Sequence, residues 1–274
     1  MAGQAQRGDA GLMTVEHADH ALESELLEVA VEAARTAAAE LLSRWRRPLE
    51  VNTKSTPTDP VTEADLSAER AIRAVLGARR PGDSILGEEG GQTGDAELRW
   101  VVDPLDGTVN YTYGMTAFAV SIAVEDADGG IAAVVLDPVR DELFSATRSG
   151  PPLRNGEVVT ATGCESLDRA LVGTGFGYDA EVRALQAQVA ARVIPLARDI
   201  RRAGVAALDL CACAAGNLDA YYERGVKPWD VAAGTLICQR AGLAVRTLEP
   251  DGKLPSGVVV AAPALIDELH ALVA

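Results

Sequence analysis

Between Ser84 and Thr147 the chain carries five apolar runs, and these constrain its fold most. Ser84–Leu86, Leu98–Val102, Phe118–Glu125, Ile131–Leu136 and Glu142–Thr147 are each too short for an ordinary helix, and turn residues separate them. Asp128-Gly129-Gly130 and the stretch from Pro138 to Asp141 are such turns, so the last three runs read as successive antiparallel strands. Before this block the period is helical. Leu22, Leu26, Ala30, Ala33, Ala37 and Leu41 recur on one face, predicting a long amphipathic helix from Ala21 to Trp45, closed by Arg46, Arg47 and Pro48. Val51–Pro60 is Thr- and Pro-rich and reads as a loop. A second helix is expected over Glu63–Arg79, with Thr62 as N-cap and Asp65 at the third helical position.

After the sheet block the pattern alternates. Strands are expected at Ala170–Thr174, Asp199–Arg202, Asp219–Tyr222, Leu243–Thr247 and Val258–Ala261. Helices are expected at Glu181–Ile194, Val205–Ala215, Val231–Ala241 and Pro263–Val273. Helices set apart from a largely antiparallel sheet, followed by mixed layers, point to an α/β sandwich.

A chain of 274 residues with 48% hydrophobic residues can bury a sizeable core. The expected organisation is a polar, disordered tail over 1–20 and a single domain over 21–274, built of two packed halves of about 21–150 and 151–274. The start lacks a charged-then-apolar secretory pattern, and Met13 is an alternative initiation point. A net charge of −15 argues against a nucleic-acid partner. It would also repel a phosphate substrate unless local cations reverse the sign inside the site. No apolar run approaches the roughly 20 residues of a membrane span. Cys164, Cys211, Cys213 and Cys238 contain no C-x-x-C pair, which disfavours zinc, and buried reduced thiols in a cytoplasmic protein are expected.

The chemistry-bearing stretch is Trp100-Val101-Val102-Asp103-Pro104-Leu105-Asp106-Gly107-Thr108-Val109-Asn110. An apolar strand delivers Asp103, and Pro104, having no N–H, is expected to end the ladder there. Two carboxylates at a strand end can hold hard cations, and the N–H groups of Gly107 and Thr108 can receive a phosphate. The same residues also suit an ordinary turn. Asp65 and Asp230 fit helix starts as well as ligand positions, and Glu88-Glu89 fits a solvated loop as well as a site.

Taken together these segments resemble the inositol monophosphatase family. The resemblance rests on Asp59-Pro60-Val61-Thr62-Glu63-Ala64-Asp65, Gly87-Glu88-Glu89, Trp100 through Asn110, and Trp229-Asp230-Val231-Ala232-Ala233-Gly234, in the family's order. It implies a layered αβαβα fold shared with fructose-1,6-bisphosphatase, a homodimer, and a lithium-sensitive phosphatase using two or three Mg²⁺ ions. By the same resemblance Glu88, Asp103 and the Leu105 carbonyl hold the first ion, and Asp103, Asp106 and Asp230 the second. Glu88 also helps hold a third ion through water. Asp65 and Thr108 activate the metal-bound water, while Gly107 and Thr108 bind phosphate oxygens. Asp106, Gly204, Ala206, Glu223 and Asp230 contact the polyol, and Lys54 and Glu89 are accessory positions.

The implied reaction is hydrolysis of a small phosphorylated polyol or sugar, foremost myo-inositol 1-phosphate to myo-inositol and phosphate. Alternatives are fructose 1,6-bisphosphate, histidinol phosphate or adenosine 3′,5′-bisphosphate, and, from another class, a non-catalytic regulatory or binding protein on the same fold. Gly204-Val205-Ala206 departs from the family's Gly-Ser-Ala or Gly-Thr-Ala, which bears on inositol as substrate. No aromatic or basic patch for a nucleotide base is evident near the motifs. His17, His20 and His270 lie near the chain ends, and no Gly-x-Ser-x-Gly elbow occurs. Gly173-x-Gly175-x-Gly177 lacks dinucleotide spacing and is expected to bend the chain between layers.

Overall fold

A computed structural model describes residues 9–47, 51–53 and 60–274. The first half runs α1 (Asp9–Arg44), β1 (Val51–Thr53), β2 (Pro60–Thr62), α2 (Glu63–Arg79), β3 (Ser84–Gly87), β4 (Gly91–Thr93), β5 (Arg99–Asp106), α3 (Thr108–Thr112), β6 (Ala119–Asp126), β7 (Gly129–Asp137), β8 (Glu142–Thr147), β9 (Leu153–Arg154) and β10 (Glu157–Val158). The second half runs β11 (Leu171–Thr174), α4 (Ala180–Val193), β12 (Asp199–Arg201), α5 (Ala206–Ala214), β13 (Ala220–Arg224), α6 (Pro228–Arg240), β14 (Ala244–Leu248), β15 (Gly257–Ala261) and α7 (Ile266–Val273).

An eight-stranded sheet, in the order β10-β9-β8-β7-β6-β5-β3-β4, is antiparallel except where β3 lies parallel to β5. A five-stranded sheet, β12-β11-β13-β15-β14, has β11 parallel to both its neighbours. Period-2 alternation sorts the layers. Val120, Ile122 and Val124 face α1 and α2, whereas Ala119 and Ala123 face α5 and α6. On β13, Tyr221 points to the α5–α6 layer, while Ala220 and Tyr222 point to α4 and α7. Three buried cores, the second spanning both faces of α5 and α6, therefore join five layers, α1α2/sheet/α5α6/sheet/α4α7, the expected αβαβα sandwich. Ala30, Ala33, Ala34 and Ala37 are fully buried on α1, and these small side chains allow α2 and the sheet to approach closely.

Three local expectations are corrected. α1 begins at Asp9 rather than Ala21, so part of the stretch expected as a tail is helical. Val51–Thr53 and Pro60–Thr62 form a short antiparallel pair instead of loop. Pro104 does not end its strand. β5 continues to Asp106, and its pairing with β6 slips between Asp103 and Asp106, where an extra residue accommodates the missing N–H. That irregularity places two carboxylates at the end of one buried strand.

Candidate active site

α2 opens with a reciprocal cap. The Thr62 N–H donates to Asp65 Oδ2 at 2.8 Å, the Thr62 hydroxyl donates to the same oxygen at 2.7 Å, and Ala64 N–H donates back to Thr62 Oγ1 at 3.1 Å. Asp65 is fully buried, and its Oδ1 lies 3.0 Å from Thr108 Oγ1. The Leu105 carbonyl is a second acceptor for that hydroxyl at 3.2 Å. One hydroxyl carries one proton, so Thr108 donates to either Asp65 or Leu105 and keeps a lone pair for another donor.

At the end of β5, Asp103 Oδ1 accepts the Leu105 N–H at 2.9 Å. Asp106 Oδ2 accepts the Ala207 N–H, in the first turn of α5, at 2.7 Å. Asp230 sits in the first turn of α6 behind Pro228, and its Oδ2 accepts the Lys227 N–H at 2.6 Å. Asp65 and Asp230 thus occupy helix starts, as one of the two sequence readings has it, and Asp230 also faces the cavity. Glu88 follows β3, with its N–H on the Val102 carbonyl at 3.2 Å.

A cavity of about 510 Å³ gathers these segments. Glu88, Asp103, Leu105, Asp106, Gly107, Thr108, Gly204, Ala206, Glu223 and Asp230 all line it. Asp65 reaches this site through Thr108. Glu89 is not a lining residue, and its N–H is held by Glu69. Lys54 lies outside the described residues.

The electrostatics are those of crowded carboxylates. Burial, then the charges of Glu88, Asp106 and Asp230, hold Asp103 well above the usual carboxylate range. Burial and Asp230 do the same to Asp106. Burial, with Glu88 and Glu223 adding to it, pushes Asp230 up to about 7. Burial raises Glu223, against the opposing Tyr221 hydrogen bond and the Arg202 charge. A cation among these groups would relieve their mutual repulsion.

Among the described residues, no three Asp, Glu, His or Cys side chains close around a single point to cage an ion. The carboxylates and the Leu105 carbonyl instead form an open, all-oxygen lining. That donor set fits Mg²⁺, a hard cation that commonly keeps several waters and takes its remaining ligands from one or two carboxylates and substrate phosphate.

Glycines shape the cavity. Gly107 has φ +92°, and a Cβ there would lie 2.9 Å from Val205 Cγ2. Val205 is 1% exposed, so the residue that departs from the family's Ser or Thr serves as packing against this turn. Gly175 does more than bend the chain, since a Cβ there would fall 2.0 Å from Glu223 Oε2. The glycine leaves the space that the Glu223 carboxylate fills.

Sequence reasoning missed several features. Phe176, Tyr178 and Trp229, with Arg202 and Lys227, line the outer part of the cavity, so an aromatic and basic rim does exist. Asp209, on α5, is pushed up to about 7 by burial and the nearby Glu223. Glu69, one helical turn after Asp65, is 3% exposed and holds the turn that carries Glu88. An acid at i+4 from Asp65, with Arg73 at i+4 again, was the available signal for Glu69.

The model of the inositol monophosphatase family matches residues 22–274. The inositol-1-monophosphatase SuhB of Mycobacterium tuberculosis is 49% identical over 232 residues, which are 81% of this chain and 80% of that one. The Nus factor SuhB of Pseudomonas aeruginosa is 43% identical over 227 residues, 79% of this chain and 83% of that one. The crystal structure of the extragenic suppressor protein suhB from Bartonella henselae superposes with a TM-score of 0.84 at 31% identity, covering 90% of this chain and 98% of that one. The fold is that of a family of phosphatase-class hydrolases. The chain belongs to the inositol monophosphatase family. No helix among the described residues is long and apolar enough to cross a membrane.

Proposed function

We propose that the chain hydrolyses myo-inositol 1-phosphate to myo-inositol and inorganic phosphate. The observation that carries this reading is the Asp65–Thr108 hydrogen bond, set beside a cavity in which the buried carboxylates of Asp103, Asp106 and Asp230 crowd one another. In this reading Glu88, Asp103 and the Leu105 carbonyl hold one Mg²⁺, Asp103, Asp106 and Asp230 a second, and Glu88 helps with a third through water. When bound, Mg²⁺ neutralises the substrate's charge and makes an attacking water more acidic. Thr108 orients that water through its free lone pair, and Asp65 takes the proton that Thr108 relays. The N–H groups of Gly107 and Thr108 receive phosphate oxygens as the ester P–O bond breaks. Asp106, Asp230 and Glu223 accept hydrogen bonds from polyol hydroxyls, beside the Gly204 and Ala206 backbone. The proposed assembly is a homodimer in the cytoplasm.

The test is a phosphate-release panel with and without Mg²⁺. It covers inositol 1-phosphate, fructose 1,6-bisphosphate, histidinol phosphate and adenosine 3′,5′-bisphosphate. Preference for inositol 1-phosphate is expected, and preference for the adenosine compound would reassign the rim of Phe176, Tyr178 and Trp229 to a base. A second reading, a binding role without catalysis, draws on relatives named Nus factor SuhB. The intact Asp65–Thr108 pair favours catalysis, and absence of Mg²⁺-dependent phosphate release from every substrate would favour binding.

A further inference from the structure

Glu69 and Arg73 occupy the two helical turns that follow Asp65 on α2. The Glu69 carboxylate is buried and accepts two consecutive backbone donors, Glu89 N–H at 2.7 Å and Gly90 N–H at 2.8 Å. Arg73 Nε donates to the same carboxylate at 2.7 Å. Its Nη2 donates to the Gly91 carbonyl at 2.7 Å, and its Nη1 to Thr93 Oγ1 at 3.1 Å. The pair therefore grips the whole turn between β3 and β4, the turn that begins with Glu88. The fit is close, because a Cβ at either Gly87 or Gly90 would lie 2.5 Å from Glu69 Oε1. On the other side, the Glu88 N–H is fixed to Val102, next to Asp103.

We infer that Glu69, braced by Arg73, is the positioning residue that sets Glu88 at the correct height over Asp103 for cation binding. Asp65 and Glu69 are one turn apart, a rise of about 6 Å along a rigid helix. One helix thus fixes both the proton-handling pair at Thr108 and the acidic turn, so the two are held in register. A buried carboxylate suits this task, since charge-assisted bonds to adjacent N–H groups are short and directional. Groups that orient a metal ligand commonly contribute 10–100-fold in metal affinity. This inference rests on the proposed metal-dependent reading of the cavity.

The test is Glu69→Gln, which keeps the side-chain shape but turns an N–H donor toward a backbone donor. Isothermal titration of the substrate-free chain with Mg²⁺ should show binding about 10–100-fold weaker. Hydrogen exchange at the 89 and 90 amides should accelerate, and excess Mg²⁺ should restore most of kcat. Removing a buried charge partner can prevent folding, so Arg73→Lys serves as the milder variant and should move each readout the same way by less. Arg70→Gln is the control, because Arg70 pairs with the exposed Glu63 rather than with the turn between β3 and β4. Unchanged Mg²⁺ affinity in both Glu69→Gln and Arg73→Lys, with the turn amides exchanging faster, would overturn the positioning role alone. Absence of Mg²⁺ binding in the unaltered chain would overturn the functional reading and this role with it.

Discussion

Asp65→Asn separates proton handling from binding. Asp65 Oδ2 serves two Thr62 donors, and its Oδ1 faces the Thr108 hydroxyl at 3.0 Å. An Asn at this site satisfies Thr62 best by placing its carbonyl oxygen where Oδ2 stands. Its NH₂ group then faces Thr108 and donates to the hydroxyl, which turns its proton to the Leu105 carbonyl 3.2 Å away. The relay is reversed, and Thr108 can no longer pass a proton toward α2. Losing a positioned general base typically costs 10²–10⁴ in rate, or about 3–5 kcal/mol of barrier. The fold should lose less. Thr62 keeps its acceptor, and replacing one charged hydrogen bond by a neutral one costs about 1 kcal/mol.

The assay is kcat and KM for inositol 1-phosphate at saturating Mg²⁺, with thermal unfolding measured alongside. kcat should fall at least a hundredfold while KM and Tm move little. Thr108→Val should resemble it, and the double variant should be scarcely worse than either single one, because the two residues act as one unit. A kcat within tenfold of wild type, or additive losses in the double variant, would refute the relay.

Other expectations concern charge, space and packing. Asp230 holds its proton up to about 7 in the folded metal-free chain, against about 3.9 when unfolded. Between those values the folded state binds more protons, so the stability this group contributes is present below about pH 4 and is lost as pH rises toward 7. Unfolding of the chain and of Asp230→Asn in EDTA across pH 4–8 should show the wild type losing stability relative to the variant as pH rises, and a flat difference would contradict the assignment. Gly175→Ala should displace the Glu223 carboxylate and raise KM for the polyol about tenfold with kcat nearly retained; an unchanged KM would remove Glu223 from polyol recognition. Gly234 sits where α6 meets α5, and an added Cβ would lie 2.6 Å from Leu210. Gly234→Ala should therefore cost about 1–3 kcal/mol in denaturant unfolding, and a neutral result would mean the helices can part at no cost.

The features legible in the sequence are those written locally. Thr62 and Asp65 are three residues apart, and their cap follows from that spacing. The alternating faces of β6 and β13 follow from period-2 patterning. Features set by distant contacts were not legible. Asp106 meets Ala207 across 101 positions, and nothing local in either segment announces the bond. The rim escaped notice because Phe176 and Tyr178 come from one segment and Trp229 from another, and neither has enough aromatics to stand out. Pro104 misled because the rule for a missing N–H holds for a regular ladder, whereas the strand solved the problem with a bulge. The acidic residues of the site were each ambiguous alone; the order of the four motifs gave them a common meaning, and the cavity brings them together.

The bond from Asp106 to Ala207 ties the last carboxylate of the first sheet to the opening of a helix in the central layer. That layer also carries Asp230 at the head of its other helix. Slippage of either helix along its axis would therefore drag an acidic group out of the site. The placement of these two carboxylates therefore depends on alanine, leucine and cysteine contacts between α5 and α6, most of them away from the cavity lining.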